Sequence, residues 1–413
     1  MKTKDRILSI LREADGAVVS GEDLAERCGV SRTAVWKAVS ALRSDGYVLE
    51  AGTNRGYRLV REGESLDASL IERRAASLCS TASLCGAAQG SRTDFRGKVR
   101  VFGVTDSTNS EAKKALSGAA FVHTADGSLS AEGRALHGSA FFAETQTAGR
   151  GRLGRPFYSP SHTGLYVSLV YVPAGGVHEP ALLTASAAVG VCRALSRVYG
   201  VDARIKWVND VFLHGKKICG ILTEGVSNFE TGIIEAAVVG IGVNIAESGD
   251  GFPDQIARVA GTVLPSAGDE PAAASASGGL RRNELAAALV YEVMRALDES
   301  GGYAAESATA ERTAVERTAA DKRAANGAGA AEHAAVDTGA SVNPVMREYR
   351  ERSLFTGGQE LTVFPLAGDA SSGYAARFVS IDDGARLIVE LPDGTRRALG
   401  SGEVTLRSAR VAQ

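Results

Sequence analysis

The chain has 413 residues, of which 44% are hydrophobic and 23% charged, and this length predicts two to four domains rather than a single core. A formal net charge of −2 excludes a protein that is basic over its whole surface, although one local nucleic-acid-binding face remains compatible with it. Five scattered cysteines show neither a zinc-ligand spacing nor a disulfide framework, and we recognise no signal core or membrane-spanning run, so we expect a cytoplasmic protein.

Residues 1–62 predict a compact unit of three helices followed by two strands. Apolar residues from Ile7 to Leu11 recur at helical spacing, Ser20 is placed to cap a second helix, and Ser31 caps a third. The next two runs, 47–50 and 56–60, are strand-like. This order resembles a winged helix-turn-helix, in which the third helix enters the major groove of DNA.

The resemblance implies which side chains of this unit face DNA. They lie at the start of the third helix and in the loop between the strands: Ser31, Arg32, Thr33, Lys37 and Arg55. We expect Trp36 to lie in the core of the unit rather than to read bases. The alternative interpretation is a helical module for protein interaction or dimerisation.

The middle of the chain predicts a linker and then an α+β domain. Residues 63–97 are rich in Ala, Ser and Arg and predict a linker with one helix near 69–78. Residues 98–299 mix strand-like and helical patterns, which predicts a mixed α/β catalytic domain built on one large sheet covered by helices. Strands are expected at 98–104, 140–144, 165–172, 204–208, 217–224 and 233–240, and helices at 110–116, 180–199 and 284–297. Residues 117–136 lack periodicity and predict an inserted surface loop.

The last part of the chain changes character twice. Residues 300–340 are dominated by alanine and contain almost no large apolar side chain, so they predict a disordered or transiently helical insert. In residues 341–413, a helix at 344–352 precedes short alternating runs separated by turns such as Asp382-Asp383-Gly384, which predicts a small β-barrel.

Several segments of the central domain carry chemistry. Residues 106–109 supply hydroxyl and amide groups for a neutral polar ligand. The glycine–arginine loop, defined as residues 149–155 (Gly-Arg-Gly-Arg-Leu-Gly-Arg), combines backbone freedom with permanent positive charge. Residues 206–210 and 216–222 bring lysines and a carboxylate to adjacent strands, and residues 240–245 end a further strand.

Each of these segments, taken alone, has a purely structural alternative. Ser107 could serve only as a helix N-cap, and Lys206 and Asp210 only as a surface ion pair. Gly242 and Asn244 could serve only to turn the chain. Glycine–arginine repeats also occur in disordered RNA-binding tracts, but those are long and lack flanking strands. The occurrence of all the segments in this order favours one shared site.

Together the segments resemble the biotin–protein ligases, and the N-terminal unit narrows the match to the bifunctional type that also represses the biotin operon. The resemblance covers residues 1–62, 98–265 and the C-terminal part, for which it implies an SH3-like β-barrel. It implies a two-step reaction, in which biotin and ATP form biotinyl-adenylate and a lysine of a carboxylase biotin-carrier domain then accepts the biotin. Mg²⁺ is expected to neutralise the triphosphate, without a dedicated protein metal site.

The resemblance also assigns roles to residues. The biotin-binding set is Ser107, Thr108, Asn109, Gln146, Arg150, Gly151, Arg152 and Lys217, and the ATP- and adenylate-binding set is Arg152, Arg155, Lys217 and Asn244. The catalytic set is Arg150, Arg152 and Lys217, which offset negative charge, and Asp210, which orients the acceptor lysine. Two residues depart from the family pattern: Val208 stands where proline is usual, and Phe157 where tryptophan is common.

The partners implied are operator DNA and a second copy of the chain, in a homodimer that ligand binding promotes. The glycine–arginine loop is expected to be disordered when empty and to close over the reactive adenylate, which excludes water. Three other interpretations compete: a ligase whose helix-turn-helix only gates the site, a ligand-sensing regulator without catalysis, and a lipoate-attaching enzyme. The presence of Lys217 and Asp210 argues against the sensor, and the glycine–arginine loop argues against lipoate attachment.

Overall fold

A computed structural model describes residues 3–44, 46–52, 56–61, 63, 65–84, 98–119, 121–124, 126–228, 232–265, 280–301, 343–364 and 373–406. One apolar core lies in the N-terminal unit, a large one joins the central sheet to the C-terminal sheet, and a smaller one lies on the other face of the central sheet. From residue 302 onward, the predicted insert at 300–340 lies outside the described residues.

The N-terminal unit has the predicted order of elements. Its helices are α1 (Thr3–Glu13), α2 (Gly21–Cys28) and α3 (Arg32–Ser44), and its antiparallel strands are β1 (Val48–Gly52) and β2 (Gly56–Arg61). Ser20 accepts a hydrogen bond from Asp23 N at 3.0 Å and caps α2, and Gly29 ends that helix with a positive φ of 66°. The helix-turn-helix prediction is confirmed. Arg55 lies outside the described residues.

The prediction for Trp36 was wrong, because its side chain is 60% exposed. The inward face of α3 is occupied by Val35, Val39 and Leu42, each no more than 1% exposed. A residue next to Val35 on a helix points about 100° away from it, so Trp36 faces solvent. Its size, and not its position in the helical period, suggested burial.

The segment predicted as a linker contains a helix that is packed into the protein. Helix α4 spans Ala68–Leu84, and its Ile71 and Ala75 are fully buried in the large core. Asp67, just before α4, pairs with Arg12 of α1 across 3.0 Å and donates its backbone N–H to Asn283 Oδ1 at 2.8 Å. The described part of 63–97 therefore joins the N-terminal unit firmly to the central domain, and the linker interpretation is corrected there.

The central domain is built on one seven-stranded sheet. Its strands are β3 (Val99–Thr105), β4 (Ala140–Gln146), β5 (Gly164–Tyr171), β6 (Arg204–Lys206), β7 (Asp210–Leu213), β8 (Lys216–Ser227) and β9 (Ile234–Asn244). Their order across the sheet is β3-β4-β5-β9-β8-β7-β6, with β3 and β4 parallel and the other neighbours antiparallel. Every residue of β5 is buried, as expected for a central strand covered on both faces.

Helices cover both faces of this sheet. They are α5 (Thr108–Ser117), α6 (Ala131–Leu136), α7 (Pro180–Tyr199) and α9, residues 282–301. The short α8 (Asp254–Ala257) lies in the exposed segment after β9. Helix α7 is the one described helix long and apolar enough to cross a membrane, but 72% of its apolar window is buried inside the protein. The region predicted as a loop at 117–136 contains α6, whose start is capped by Ser130, and this short helix was not predicted.

The C-terminal part contains a helix and a sheet. Helix α10 (Pro344–Glu351) is followed by β10 (Glu360–Phe364), β11 (Tyr374–Ile381), β12 (Leu387–Glu390), β13 (Arg396–Leu399) and β14 (Glu403–Leu406). The five strands form an antiparallel sheet in the order β13-β12-β11-β10-β14. The predicted C-terminal β-structure is confirmed at the level of a sheet.

Candidate active site

All the site residues predicted in the central domain meet at one cavity of about 730 Å³. The cavity lies over the ends of β4, β7, β8 and β9 and beneath the glycine–arginine loop. The predicted residues among its walls are Ser107, Thr108, Asn109, Gln146, Arg150, Gly151, Arg152, Arg155, Asp210, Lys217 and Asn244. Residues separated by more than 130 positions in the chain therefore share one site, as the order of motifs indicated.

One wall consists of uncharged polar groups at the start of α5. Gln146 Oε1 accepts hydrogen bonds from the backbone N–H of Thr108 at 2.9 Å and from its hydroxyl at 3.2 Å, while Gln146 Nε2 donates to Ser159 at 2.9 Å. Ser107 occupies the N-cap position, but its hydroxyl makes no capping bond to α5. A capping hydrogen bond therefore does not account for the Ser107 hydroxyl.

Asn109 is fixed by a buried network. Its Nδ2 donates to Glu224 at 2.6 Å, and its Oδ1 accepts from the hydroxyl of Ser168, which is fully buried in β5. Burial acts to raise the pKa of Glu224, but hydrogen bonds from Lys113 and Asn109 outweigh it and lower that pKa. The carboxylate therefore stays charged and holds the amide of Asn109 in one orientation.

Glycines on β8 and β9 form the floor of the cavity. A Cβ on Gly240 would overlap the Asn109 amide, and a Cβ on Gly242 would overlap the ring of Phe157. Gly220 faces Gly242 across the β8–β9 pair, and a Cβ there would lie 3.2 Å from the same ring. These glycines therefore leave room for Asn109 and Phe157 to approach the sheet. They lie within strands, so the alternative that Gly242 only turns the chain is wrong.

The face of β9 that carries these glycines sets the length of the cavity floor. Gly240, Gly242 and Asn244 alternate along one face, and a rise of about 3.4 Å per residue places Asn109 above one end and Asn244 about 14 Å away at the other. Asn244 Nδ2 donates to the carbonyl oxygen of Gly261 at 3.2 Å, which orients the amide. The floor thus suits an elongated ligand.

The glycine–arginine loop folds back on itself above this floor. Phe157 N donates to Gly149 O at 2.8 Å, and Gly151 N donates to Arg155 O at 2.7 Å. Gly154 has a φ of 72°, a left-handed conformation that favours glycine. A Cβ on Gly149 would lie 2.7 Å from the Phe157 carbonyl oxygen. Two of the loop glycines are therefore required by geometry, one for a turn and one for a close approach.

Arg152 connects the loop to two other parts of the protein. Its Nη1 donates to Asn209 Oδ1 at 3.0 Å, and its Nη2 donates to the carbonyl oxygen of Gly402 at 3.2 Å. Gly402 lies just before β14 and also lines the cavity. The C-terminal sheet therefore completes the wall at the side where Arg152 lies.

Lys217 and Asp210 form an ion pair in the opposite wall. Lys217 Nζ lies 2.6 Å from Asp210 Oδ1, and both side chains are partly buried. The backbone of Lys217 also pairs with the segment after α8, since Lys217 N donates to Val259 O at 2.8 Å. Lys206 is the register partner of Asp210 across the β6–β7 hairpin, and the Asp210 carboxylate forms its ion pair in the cavity wall with Lys217.

The turn before Asn209 and Asp210 is held by the C-terminal part. Trp207 Nε1 donates to the carbonyl oxygen of Ala385 at 2.9 Å, and the Tyr349 hydroxyl donates to Val208 O at 3.3 Å. The Trp207–Val208 peptide bond is cis. Val208, the departure from the family proline, is thus placed in a turn with defined partners, and Asn209 and Asp210 are presented to the cavity.

Two parts of the chain match known protein families. Residues 3–58 match the family described as HTH domain, and residues 132–244 match the Biotin/lipoate A/B protein ligase family. The Bifunctional ligase/repressor BirA of Bacillus spizizenii is 30% identical over 264 residues, which are 64% of this chain and 71% of that protein. Its counterpart in Salmonella typhimurium is 32% identical over 71% of this chain and 76% of its own length.

The chain belongs to the bifunctional biotin ligase/repressor family.

A further relative and a solved structure are also similar to this chain. A Biotin--[acetyl-CoA-carboxylase] ligase of Paracoccus denitrificans is 41% identical over 167 residues, which are 40% of this chain and 57% of that protein. A structure of the biotin protein ligase from Aquifex aeolicus, in complex with biotin and ATP, matches with a TM-score of 0.50 and 19% identity. It covers 75% of this chain and 99% of that one. At this identity the match shows that the two proteins share a fold.

Several parts of the cavity wall were not predicted from the sequence. Residues 252–260, which include α8, and the start of β14 carried no motif that could have marked them. Their members at the cavity are Phe252, Gln255, Ile256, Val259, Ala260, Gly402 and Val404. Ser168 and Glu224 were also missed, although an isolated serine inside the apolar run of β5 was an available signal.

The described cavity wall contains one carboxylate, Asp210, and one cysteine, Cys219. No group of three or more His, Cys, Asp or Glu side chains could hold a metal ion within the described part of the chain, and Asp210 is the one acidic residue of the described cavity wall. Cys219 also lines the cavity, but burial raises the pKa of its thiol well above the usual value. A neutral thiol is a poor nucleophile.

Proposed function

We propose that this cavity activates biotin with ATP to form biotinyl-5′-AMP and then transfers biotin to a lysine of a biotin-carrier domain of a carboxylase. The observation that carries the proposal is the arrangement of the cavity. An uncharged amide and hydroxyl wall at Thr108 and Gln146 meets a cationic wall at Arg152 and Lys217, over a floor about 14 Å long.

In the first step, a carboxylate oxygen of biotin attacks the α-phosphorus of ATP, and the bond to pyrophosphate breaks. Negative charge grows on the phosphoryl oxygens as this happens. Arg150, Arg152 and Lys217 are fixed cations around the cavity, and such preorganised charge stabilises the transition state more than it would in water. Arg155 would assist on the nucleotide side.

The uncharged wall would hold the biotin ring system. The hydroxyls of Ser107 and Thr108 and the amides of Asn109 and Gln146 offer both donors and acceptors, as a ureido group requires. The loop backbone at Gly151 would close over the acyl chain. Because Asn109 is held by Ser168 and Glu224, its amide is ordered before a ligand binds.

The far end of the floor would hold the nucleotide base. Asn244 lies about 14 Å along β9 from the residue beneath Asn109, a distance that suits a biotinyl-adenylate lying along the strand. Its amide is oriented by Gly261, so the second N–H and the side-chain oxygen are left for adenine. A shorter ligand would not reach both ends.

In the second step, the amine of the acceptor lysine attacks the carbonyl carbon of the mixed anhydride, and AMP leaves. Asp210 would orient that amine and accept its proton. Lys217 would act on the phosphate in the first step. Its ion pair with Asp210 would therefore hold the carboxylate close to the anhydride that the amine attacks in the second step. The glycine–arginine loop would exclude water from the anhydride, which otherwise hydrolyses.

Magnesium would enter with the triphosphate and supply charge neutralisation. The described residues do not form a protein cage for it, because Asp210 is the one carboxylate in the described wall and it is paired with Lys217. Mg²⁺ usually keeps several waters and binds substrate phosphates, so such a wall fits its chemistry.

The ligase proposal is tested by incubating the protein with biotin, Mg-ATP and a carrier domain, and measuring covalent biotin on the carrier lysine. Lys217→Gln is expected to lose the activity, whereas Lys216→Gln, which changes the exposed neighbouring lysine, is expected to keep it. Absence of carrier biotinylation by the unsubstituted protein would refute the proposal.

We further propose that the protein represses transcription when it carries the adenylate. Helix α3 would enter the major groove with Ser31, Arg32, Thr33 and Lys37, and Arg55 would reach phosphate. We also propose that ligand binding promotes a homodimer and that the protein is cytoplasmic. The C-terminal sheet would close into an SH3-like barrel. A salt-dependent mobility shift of a biotin-gene promoter fragment, stronger with biotin and ATP, is expected. No shift under any condition would leave a ligase without a repressor function.

A further inference from the structure

Trp36 is the largest apolar side chain on the surface of the described N-terminal unit. It is 60% exposed, whereas Trp207, the other tryptophan of the chain, is 4% exposed. Trp36 is not part of the core of the unit, which Val35, Val39 and Leu42 fill from the same helix. Tryptophan is enriched at interfaces, because burial of its large ring by a partner is favourable.

The surroundings of Trp36 on α3 are basic. Arg32 and Thr33 precede it by four and three residues, so their side chains lie beside it on the exposed face, and Lys37 follows directly. Helix α3 contains three basic residues and no acidic one. The unit's neighbouring helix α2 carries the exposed acids Glu22, Asp23 and Glu26, which belong to a different element.

An aromatic ring among cations fits a partner that presents both negative charge and apolar groups. The major groove of duplex DNA does so, since phosphates flank it and the thymine methyl group is its one apolar feature. The first turns of the third helix of this motif are the part that reaches base edges, and Trp36 is the fifth residue of α3. An acidic protein surface would offer negative charge, but binding to it would not require α3 to enter a groove.

We propose, on the basis of the proposed repressor function, that Trp36 packs its indole ring against thymine methyl groups in the major groove and thereby sets part of the sequence preference. Lys37 and Arg32 contact phosphate and supply attraction that does not depend on sequence. The two contributions are separable, because removal of an indole changes no charge, whereas removal of a lysine reduces the number of displaced counterions.

The experiment measures the affinity of the full-length protein, with biotin and Mg-ATP, for a biotin-gene promoter fragment over a range of salt concentrations. Trp36→Ala should weaken binding by about fivefold or more without changing the slope of log affinity against log salt. Lys37→Ala is the matched control, and it should lower the slope by about one. Trp36→Phe keeps an aromatic face and should recover most of the affinity.

A second arm uses the same fragment with every thymine replaced by uracil, which removes the methyl groups and keeps base pairing. The unsubstituted protein should bind the uracil fragment more weakly, and Trp36→Ala should bind the two fragments equally. Biotin transfer to a carrier domain should be unchanged in Trp36→Ala, which shows that the variant is folded.

The outcomes separate the two proposals. If the unsubstituted protein shifts no DNA, the repressor proposal and this inference both fall. If it binds DNA but Trp36→Ala binds equally well, or if the uracil fragment makes no difference, only the role of Trp36 falls. Loss of self-association in Trp36→Ala, with unchanged DNA affinity of the remaining dimer, would assign the ring to a protein contact instead.

Discussion

Glu144 and Arg282 form a buried ion pair beside the candidate active site, with 2.7 Å between Glu144 Oε2 and Arg282 Nη1. The Arg282 side chain is fully buried, and its Nε also donates to the carbonyl oxygen of Gly164 at 2.9 Å. Glu144 lies on β4, two residues before Gln146, and its other oxygen accepts from Leu66 N at 2.7 Å. The pair therefore joins α9 and the segment before α4 to the strand that carries Gln146.

The first prediction concerns this pair. Glu144→Gln keeps an acceptor for Leu66 but leaves the buried charge of Arg282 without its partner, which should cost about 3–5 kcal/mol of unfolding free energy. Urea unfolding measures the loss. The double variant Glu144→Gln/Arg282→Met removes both charges and should recover part of it. Glu50→Gln breaks an exposed pair with Arg58 and should cost less than about 1 kcal/mol. Equal losses in Glu144→Gln and Glu50→Gln would contradict the prediction.

The second prediction concerns Arg152. Arg152→Gly removes the contacts with Asn209 and Gly402 that hold the loop over the cavity, so the adenylate should escape and label nearby lysines of other proteins. Mass spectrometry of a mixture with bystander proteins measures the labelling. Leu153→Gly is the control from the same loop, because Leu153 is 60% exposed, has a φ of 56° and carries no charge. A variant Arg152→Gly that is as selective as the unsubstituted protein would remove the role of the loop as a lid.

The third prediction concerns the floor of the cavity. Gly242→Ala should displace Phe157 and the loop attached to it, and a displacement of about 1 Å near the reacting groups costs on the order of 100-fold in rate. Steady-state kinetics of adenylation measure this effect. A smaller side chain in Gly242→Ala/Phe157→Leu should restore part of the rate. Gly249→Ala, where a Cβ meets nothing within 4 Å, should have no effect, and a similar loss there would argue against a local clash.

The fourth prediction concerns Asp298 on α9. Burial, together with the negative charge of Glu299, raises the pKa of Asp298 to about 7. Between about pH 4, where the unfolded chain ionises, and pH 7, the folded protein holds a proton that the unfolded chain has lost, so this carboxyl lowers stability as the pH rises. Asp298→Asn should therefore gain more stability over the unsubstituted protein at pH 8 than at pH 5.

Urea unfolding of both proteins at the two pH values checks this difference. Asp393→Asn gives a contrast of opposite sign, because hydrogen bonds from Thr395 lower the pKa of Asp393 in the folded protein. That variant should lose stability above pH 4 relative to the unsubstituted protein. If Asp298→Asn differed from the unsubstituted protein by the same unfolding free energy at both pH values, the raised pKa of Asp298 would be contradicted.

Local sequence signals predicted much of the fold and the composition of the cavity. Helix α7 spans the predicted residues 180–199, because a long apolar helical pattern begins at Pro180 and ends before Gly200. The polar motifs lie on strand ends and helix starts, where their spacing placed them. Motifs of this kind are local, so distance along the chain does not obscure them.

Features that depend on tertiary contacts escaped prediction. Arg152 contacts Gly402, which lies 250 residues further along the chain. The local sequence around that glycine contains no pattern that predicts this contact. Trp36 was misplaced because hydrophobicity was given more weight than helical period. The packed helix α4 was underestimated because its Ala-rich composition resembles a linker, whereas Ile71 and Ala75 fit into the large core.

The contacts of Asp67 connect the N-terminal unit to the central domain, and any coupling between the two through these contacts is reciprocal. Asp67 touches Arg12 of the N-terminal unit and Asn283 of the central domain, and Leu66 beside it bonds to Glu144 on the strand of Gln146. If biotin binding changes the affinity of α3 for DNA through these contacts, DNA binding must change the affinity for biotin by the same factor. An operator would therefore act as an effector of the biotin site, and its presence would shift the concentration of biotin at which the protein is half occupied.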